Sequence, residues 1–559
     1  ELGVGKGYSL FELAQQAEFD FGNEGLTVSP VNSRLRALYG NVYNVLSDDD
    51  HCLPGSGSTE ALYYLANDMI SVMMIPLMKK LIHAIASEDI ERIKLYALAI
   101  VPQISACQPS VAISLFSKLC VNDYNSDDRA KVIGMLQSAY SCLGISCLDV
   151  GAYRTNVVAR CADPPADLPI AGYAPLTHVR AASKIDLDIL QLKILTQMGA
   201  FVPAQLLYKW GKNANADDSE QGGLDVSLQD LATWESRDKV DPFFRYFVQY
   251  HSDADYGDTV VRAALSGDER YSKMSNATRS IYIVKTIQYQ VMYMAALAQF
   301  GIAHERCNDI NPSRNLQAWD TGVAYLIGSI EGHLDGGAPI TDGMLFYNLA
   351  NSRCEQFGTC EDDDDSDGYA RIITKLHRSF QFVQRALKDG ECEKIRGGVV
   401  YIAFHAMIPV MQSILRYAIL NEGKDATSEI DEDVAKGHVY TLSLLPIVNA
   451  YNNKSANILK DNMLKPFGDL VPDGAQVVAE GIELLMNTFE VQCSEVGQSE
   501  SIHVCSGIFA KFRNDGTSLL DTGGLVAIGF ISALVLALCL GYFFSLIFCR
   551  KDERESYEE

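Results

Sequence analysis

Two acidic residues and a tyrosine in the segment WDTGVAYLIGSIEG, residues 319–332, have side chains suited to a hard metal ion. If this segment is helical, Asp320 and Glu331 are eleven residues apart, which is close to three turns, so both carboxylates project from one face. Tyr325 then lies on an adjoining face. Carboxylate and phenolate oxygens are hard donors, which a ferric ion prefers to soft thiolates.

An amphipathic helix without any ligand explains the same residues. Asp320 would then lie near the helix N-terminus, where a carboxylate interacts favourably with the helix dipole. Tyrosines at helical spacing are usually core or interface residues. Both interpretations remain open from this segment alone.

Signatures of common enzymes are missing from the sequence. It contains no HExxH, HxxE, GxSxG or Walker pattern. We therefore expect a protein without catalytic activity.

Composition limits the class of protein. The chain has 559 residues, more than one hydrophobic core usually supports, so we expect at least two lobes. A net charge of −25 without any Lys/Arg-rich block excludes nucleic acid as a probable class of partner, because phosphate binding needs positive charge.

Cysteines and glycosylation sequons indicate a secreted-pathway protein. Of the 14 cysteines, Cys539 and Cys549 lie in or beside an apolar tail segment, and the other twelve are dispersed without a CxxC pair. This pattern favours disulfides over zinc chemistry, and the close pairs Cys142/Cys147 and Cys354/Cys360 are candidates for short loops. Buried free thiols are the alternative. Two sequons begin at Asn276 and Asn453.

The segment 523–549 predicts a single transmembrane helix. Its 27 residues carry no charge and are long enough to span the hydrocarbon core. Arg550 and Lys551 follow at once, so the positive-inside rule predicts a cytoplasmic tail at 550–559 and an extracellular ectodomain. No signal peptide is visible at the first residue, and we expect it to have been removed.

Helical periodicity predicts an all-α ectodomain. Apolar residues recur at three- and four-residue spacing in the following segments: 62–86, 89–106, 184–211, 278–304, 316–331, 370–388, 396–420, 436–450 and 475–491. Strand-like alternation is scarce.

An internal repeat divides the predicted ectodomain. Residues 72–85 resemble 405–419, 96–115 resemble 440–459, and 147–151 resemble 493–497, with offsets of 333, 344 and 346. A proline inside each apolar pattern predicts matched kinks. We therefore predict two related helical-bundle lobes, with boundaries in the following order: an N-terminal lobe at 1–175, connecting helices at 176–235, a C-terminal lobe at 236–505, a stalk at 506–522, the transmembrane helix at 523–549 and the tail at 550–559.

Four segments in order resemble a known family. They are WDTGVAYLIGSIEG, LFYNLANSRCEQFGTC (345–360), IPVMQSILRYA (408–418) and LLPIVNAYN (444–452). Together they are similar to the low-iron-inducible Fea1 family of algae, which includes the membrane-anchored phytotransferrins induced by iron starvation. The resemblance is strongest over residues 240–500 and reaches the first lobe only through the repeat.

The resemblance implies capture of ferric iron at the plasma membrane, with carbonate as the synergistic anion, followed by endocytosis through endosomes. It implies endocytic or reductase partners as well. Within the matching region, the expected iron ligands are Asp320, Tyr325, Glu331, Tyr417 and Tyr256.

Carbonate needs a cationic anchor, and Arg416 or Arg353 supplies one in this interpretation. In the repeat, Arg416 and Tyr417 align with His83 and Ala84, so we expect one strong site, in or beside the C-terminal lobe.

Two other functions stay open. Imelysin-like metallopeptidases or hydrolases share a two-lobed helical architecture, although the missing HxxE argues against them. A structural or adhesive surface protein without a metal is the other alternative.

Overall fold

The computed structural model describes residues 9–503 except for short gaps. The gaps are 24–25, 48–57, 122–123, 155–157, 159–160, 162–168, 215–225, 235–236, 238–241, 309–311, 332–342, 362–368, 427–429, 487 and 500–501. Within this part the chain is mostly helical and has almost no strands, so the all-α prediction is confirmed.

Helices follow one another along the whole described chain. The α-helices are Leu10–Asp20, Pro30–Ser47, Ser58–Ser87, Ile90–Ile104, Pro109–Phe116, Arg129–Ser138, Cys147–Val150, Arg180–Ser183, Ile185–Gln197, Phe201–Trp210, Leu228–Thr233, Phe243–His251, Tyr256–Ser266, Asn276–Thr286, Met292–Glu305, Pro312–Ile327, Phe346–Phe357, Arg371–Lys388, Cys392–Ala406, Ile408–Asn421, Glu432–Tyr451, Asn453–Met463, Ala475–Met486 and Cys493–Val496. Shorter 3-10 turns are Ser126–Asp128 and Glu269–Tyr271, and π-helical turns are Ser117–Val121 and Ile287–Val291.

Four two-residue strands form two small antiparallel pairs in the described part of the chain. Asp425–Ala426 pairs with Gly468–Asp469, and Gln498–Ser499 pairs with Ile502–His503. Each pair joins loop segments at the ends of helices.

Buried apolar side chains form two clusters. The smaller cluster extends from Ala14 to Val158. The larger one extends from Ile170 to Val496 and also includes Cys107 and Cys142. Residues 176–235, predicted as a connector, contribute buried side chains to the larger cluster. The larger core therefore begins well before residue 236.

Three predicted helices are interrupted in the structure. The segment 184–211 is divided at Gly199, which has φ +77°, and 396–420 is divided at Met407. The segment 278–304 contains the π-helical turn Ile287–Val291. Periodicity continues across each break because the flanking helices bury apolar faces in the same core.

The helix that carries Asp320 ends earlier than predicted. It ends at Ile327, where the Gly328 N–H donates to the Ala324 carbonyl and Gly328 has φ +86°. A side chain at Gly328 would also collide with the Asp186 carboxylate. Glu331 therefore lies beyond the helix, and the expectation that Asp320 and Glu331 share one helix face is wrong.

Asp320 holds a separate segment of chain onto its helix. Its carboxylate accepts hydrogen bonds from the hydroxyls of Tyr173 and Thr177, at 2.5 and 2.8 Å. The backbone N–H groups of Leu176 and Thr177 and the Gln384 amide donate to it as well. The side chain is fully buried. Because these donors occupy both carboxylate oxygens, Asp320 has a structural role here.

The segments predicted to form a repeat share some local structure. Cys147–Val150 and Cys493–Val496 are both four-residue helices with a capping box, and Gly151 and Gly497 follow them with φ of +75° and +74°. Pro102 and Pro446 both lie inside a helix. Pro76 lies inside the helix Ser58–Ser87, whereas its counterpart Pro409 lies in the first turn of a new helix.

Disulfides link cysteines within each cluster region. The described pairs are Cys107–Cys142, Cys147–Cys161, Cys307–Cys392 and Cys354–Cys360. The prediction of disulfides, and of the Cys354–Cys360 loop, is confirmed. The Cys142/Cys147 pairing is wrong, because each of these cysteines bonds to a different partner.

Two described helical stretches are long and apolar enough to cross a membrane. They are Thr59–Ser87 and Cys392–Asn421, but 56% and 83% of their most apolar windows are buried inside the protein, as in core helices. The predicted transmembrane helix at 523–549 lies outside the described residues.

Replacing Asp320 with Asn should lower the free energy of unfolding by roughly 3 kcal/mol, because the buried donors lose a charged acceptor. Urea denaturation with the disulfides intact measures this change. Asp389→Asn, at an exposed helix end, is the control and should leave the stability nearly unchanged. Equal stability of the Asp320 variant and wild type would contradict the structural role.

Candidate phenol and cation site

A helical stretch at 276–305 runs through the larger core. All its side chains from Thr286 to Ala298 are buried. Its π-helical turn Ile287–Val291 includes Gln288 and Tyr289, both at most 3% exposed. π-helical turns within α-helices are frequent at functional sites, since they change the direction of side chains. Tyr289 lies in this turn and is therefore a candidate functional residue.

Three tyrosines lie together in this core. The ring of Tyr289 is 5.3 Å from that of Tyr440, which stacks on Tyr417 at 5.8 Å with an angle of 13°. Tyr440 and Tyr417 come from the helices Glu432–Tyr451 and Ile408–Asn421. All three side chains are at most 2% exposed. Three helices thus bring three phenol rings into a buried group.

Three cationic side chains surround these rings. The Arg353 guanidinium lies 6.0 Å from the Tyr417 ring centre, and the Lys436 ammonium lies 5.8 Å from it. The Lys285 ammonium lies 5.4 Å from the Tyr289 ring centre. We call these six side chains the phenol–cation cluster.

Arg353 is the most deeply buried of these cations, at 2% exposure. Its Nε donates to Ser413 Oγ at 2.8 Å and its Nη1 donates to Gln356 Oε1 at 2.7 Å. These two bonds orient the guanidinium inside the core.

Beside this cluster, three buried polar atoms lack a hydrogen-bond partner among the described residues. They are Glu331 Oε2, the Tyr347 hydroxyl and Gln288 Oε1. The other oxygen of Glu331 accepts from the Leu345 N–H at 2.7 Å, and Gln288 donates to the Met344 carbonyl. Unpaired buried polar atoms are uncommon, and such atoms are able to bind a water molecule or an ion.

The conformation of the loop that carries Glu331 is fixed by Asp186, a carboxylate that is distant in the sequence. Asp186 accepts hydrogen bonds from the Ser329 and Ile330 N–H groups at 2.5 and 2.9 Å, and from the Ser329 hydroxyl. On the other side, the Glu331 carboxylate occupies the position that a side chain at Gly343 would need. The carboxylate of Glu331 is thereby confined.

Burial favours the protonated form of the acidic groups at this site. It raises the pKa of Glu331 well above its ordinary value, and the nearby Asp186 raises it further. Burial and the neighbouring Tyr440 also raise the pKa of Tyr289 well above its ordinary value, although Arg353 opposes this. Both shifts favour neutral acids beside the cations.

Lys436 remains charged in this environment. Burial lowers its pKa, but interactions with Tyr417, Asp433 and Glu432 outweigh burial, so the pKa is raised overall. Its ammonium lies 3.7 Å from Glu432 and 3.8 Å from Asp433.

Three of the seven predicted site residues lie at or beside the cluster. Tyr417 and Arg353 belong to it, and Glu331 interacts electrostatically with Tyr289.

The other four predicted site residues have different surroundings. Asp320 is bound by its donors, as described above. Tyr256 stacks on His251 and Phe247, at 5.0 and 5.1 Å. Tyr325 is buried, and burial alone raises its pKa.

Arg416 precedes Tyr417 on one helix, and successive helical side chains diverge by about 100°. Its Nε is buried without a partner among the described residues. The structure thus does not join these four residues to the cluster.

Tyr289, Tyr440, Lys285 and Lys436 were missed by sequence reasoning. A signal for one of them was present in the predicted repeat, where Tyr440 aligns with Tyr96. In the described residues no three His, Cys, Asp or Glu side chains come together.

In comparisons with known proteins, the chain matches no protein-family description, no curated protein and no solved structure.

Glu331→Gln should reduce the pH dependence of stability. Because the folded-state pKa is raised, wild type loses stability as pH rises from the ordinary value of 4.5 through the folded-state value. Glutamine resembles the protonated acid and cannot ionise, so the variant gains stability relative to wild type at higher pH. Denaturation at about pH 5 and about pH 8 measures the difference. A parallel pH profile in the variant would contradict the raised pKa, and exposed Glu393→Gln is the control.

Proposed function

We propose that this protein captures ferric iron at the cell surface, with the phenol–cation cluster as its binding site. The observation that carries the proposal is the convergence of three buried phenols with a buried guanidinium and two ammonium groups. The resemblance of residues 240–500 to the Fea1 family supports the same function.

Phenols are suited to ferric iron because the ion binds hard anionic oxygens. In the metal-free site the tyrosines are protonated, and ferric iron supplies the charge that lowers the pKa of a coordinating phenol. Capture therefore releases protons. Glu331 lies within the same electrostatic environment and adds a carboxylate that ionises when a cation is near.

The cations are suited to an anion bound together with iron. Without a ligand, Arg353 and Lys285 place positive charge beside neutral phenols. Carbonate is a planar anion, and a guanidinium binds such anions through parallel hydrogen bonds. We propose that Arg353 binds carbonate and that iron lies between the carbonate and the phenols. We expect the two ligands to bind cooperatively, because the bound anion offsets the positive charge of the metal beside Arg353.

Delivery of iron into the cell depends on where the protein is located. We propose that 523–549 spans the plasma membrane once and that the ectodomain consists of two repeat-related helical lobes. The equivalent four-residue helices at Cys147–Val150 and Cys493–Val496 support the repeat. The sequon residues Asn276 and Asn453 are exposed, as glycosylation requires. Iron would enter the cell by endocytosis. Acidification of the endosome would then protonate carbonate and phenolate, and the iron would be released.

Ferric titration of the purified full chain, with and without bicarbonate, tests the proposal. We expect a visible phenolate-to-iron charge-transfer band that requires bicarbonate. Tyr417→Phe and Tyr440→Phe should each lower the affinity about tenfold or more and weaken the band. Arg353→Lys should reduce the dependence on bicarbonate, because it retains the charge but loses the planar guanidinium.

Tyr325→Phe is the matched control, since this tyrosine is equally buried but lies outside the cluster. It should leave the band unchanged. Absence of tight ferric binding in wild type would contradict the function. A band lost in Tyr325→Phe but retained in Tyr417→Phe would instead contradict only the site.

A further inference from the structure

A groove opens on the surface of the protein between two neighbouring helices, outside the phenol–cation cluster. The helices Arg371–Lys388 and Cys392–Ala406 form its two walls. Its volume is about 400 Å³, within the range of binding pockets in proteins. We call it the arginine groove, and the following residues line it: Arg378, Ser379, Phe382, Gly397, Gly398 and Tyr401.

We propose that the arginine groove binds an acidic segment of a partner protein and receives one aromatic or aliphatic side chain of that segment. Four features support this proposal: the charge around the groove, its exposed apolar surface, its pair of glycines and the fixed position of Tyr401. The proposal does not depend on the proposed ferric site.

The arginine groove lies in a basic part of an acidic protein. The whole chain has a net charge of −25. Residues 371–396 contain seven Lys and Arg residues against three Asp and Glu residues, so this stretch has a net charge of +4. Surfaces of opposite charge attract one another and associate faster. An acidic partner is therefore directed to this stretch, since the net charge of the remaining chain repels it.

Three exposed arginines of this stretch are available to a partner. Arg378 and Arg396 form no side-chain hydrogen bond or ion pair with another described residue. Arg385 donates to the Gln381 carbonyl of its own helix. A guanidinium without a carboxylate partner is able to bind a carboxylate of another chain through two parallel hydrogen bonds.

Apolar surface is exposed beside these charges. Phe382 is 46% exposed, and Val400, next to Tyr401 on the opposite helix, is 37% exposed. Single exposed apolar residues are common, but here two of them lie at a concave surface with positive charge around it. An apolar centre with a charged rim is typical of contact sites between proteins. Aromatic and arginine side chains often contribute most of the binding free energy at such sites.

Two consecutive glycines belong to the wall that Cys392–Ala406 contributes. A Cβ added at Gly398 would collide with the Val383 side chain, so the two helices approach closely there. A Cβ added at Gly397 would meet no atom within 4 Å. Glycine is less favourable than alanine inside a helix. Packing within the protein accounts for Gly398 but not for Gly397, whereas close approach of a partner accounts for the second glycine.

The aromatic wall at Tyr401 is held in position by a buried neighbour. The Tyr401 ring stacks on the His405 imidazole, with ring centres 3.7 Å apart and an angle of 18°. His405 is 2% exposed, and its Nδ1 lies 2.9 Å from the Tyr401 carbonyl oxygen. A side chain that is already ordered loses little conformational entropy when a partner binds.

The shape of this surface favours a protein segment over other occupants. Basic residues beside an exposed aromatic ring also suit anionic lipid headgroups. A bilayer is flat, however, and would leave a groove between two helices unfilled, whereas a protein side chain fits into it. A second copy of the chain is disfavoured, because two molecules of net charge −25 repel each other.

Fluorescence anisotropy with the full chain tests the proposal. The probe is a labelled peptide in which acidic residues flank a single phenylalanine. Wild type should bind it, and added salt should weaken the binding. Arg378→Glu should weaken the affinity about tenfold or more, because it places a carboxylate against the acidic peptide. A peptide with alanine in place of phenylalanine should bind more weakly, and one with lysines in place of the acidic residues should not bind.

Gly397→Leu tests the groove itself. The added side chain begins in open space, so the variant should fold with a thermal midpoint no lower than that of wild type. It should nevertheless weaken peptide binding about tenfold or more, because leucine occupies the groove. Lys131→Glu, an exposed charge reversal in the helix Arg129–Ser138, is the control and should bind the peptide as wild type does.

Failure of wild type to bind the peptide would overturn the proposal, as would wild-type affinity in both Arg378→Glu and Gly397→Leu. If the soluble lipid headgroup glycerophosphoserine competed better than unlabelled peptide, the surface would recognise headgroups, and the proposal would be overturned. Self-association in sedimentation that Gly397→Leu abolishes would identify a second copy as the occupant and would overturn it too.

The ferric titration separates the arginine groove from the proposed function. Arg378→Glu and Gly397→Leu should retain the ferric charge-transfer band, and Tyr417→Phe should retain peptide binding. Loss of the band in Gly397→Leu would connect the groove to iron binding and contradict its separate role.

Discussion

Polar groups carried on a buried helix must find their partners inside the protein, and this constraint organises the larger core. The helical stretch at 276–305 is enclosed on nearly all sides between Thr286 and Ala298. A helix of this kind is normally apolar all round. Here it carries Lys285, Gln288 and Tyr289, and each of these side chains costs free energy unless neighbouring elements satisfy it. The surrounding helices supply phenols and cations that lie beside these side chains.

The same constraint distinguishes two kinds of buried carboxylate in this protein. Asp320 and Asp186 are surrounded by donors and hold loops in position. Burial raises the pKa of Asp186 and its hydrogen bonds lower it, and the net result is a pKa of about 7. Glu331 has one oxygen without a partner among the described residues. A carboxylate that is confined but incompletely bonded is a candidate for binding, whereas one with all its bonds made is a structural support.

Much of the fold could be predicted from the sequence, because apolar periodicity reports directly on which helix faces are buried. Helix ends were harder to predict. The turn at Gly328 depends on Asp186, more than a hundred residues earlier in the chain. No local pattern contains that contact. Glu331 was therefore proposed as a ligand on the basis of a helix face that does not exist, although its side chain does lie beside the phenols.

The site was only partly predictable for a related reason. We predicted Tyr417 and Arg353 from the sequence segments that contain them, 408–418 and 345–360. Tyr289 owes its direction to a π-helical turn, and helical periodicity does not reveal such turns. Tyr440 and Lys436 lie in a long apolar helix. From the sequence, Tyr440 resembles an ordinary core residue and Lys436 an ordinary surface residue. Their proximity to the other phenols follows only from the packing of three helices.

Resonance Raman spectroscopy of the ferric complex, prepared with bicarbonate in the full chain, tests the central claim most directly. Excitation into the visible band should enhance the ring vibrations of iron-bound tyrosinate, because phenolate coordination is the source of the colour. Replacing ¹²C-bicarbonate with ¹³C-bicarbonate should shift carbonate modes if the anion is bound to the metal. A ferric complex that forms without any tyrosinate vibrations would contradict the phenol–cation cluster as the iron site.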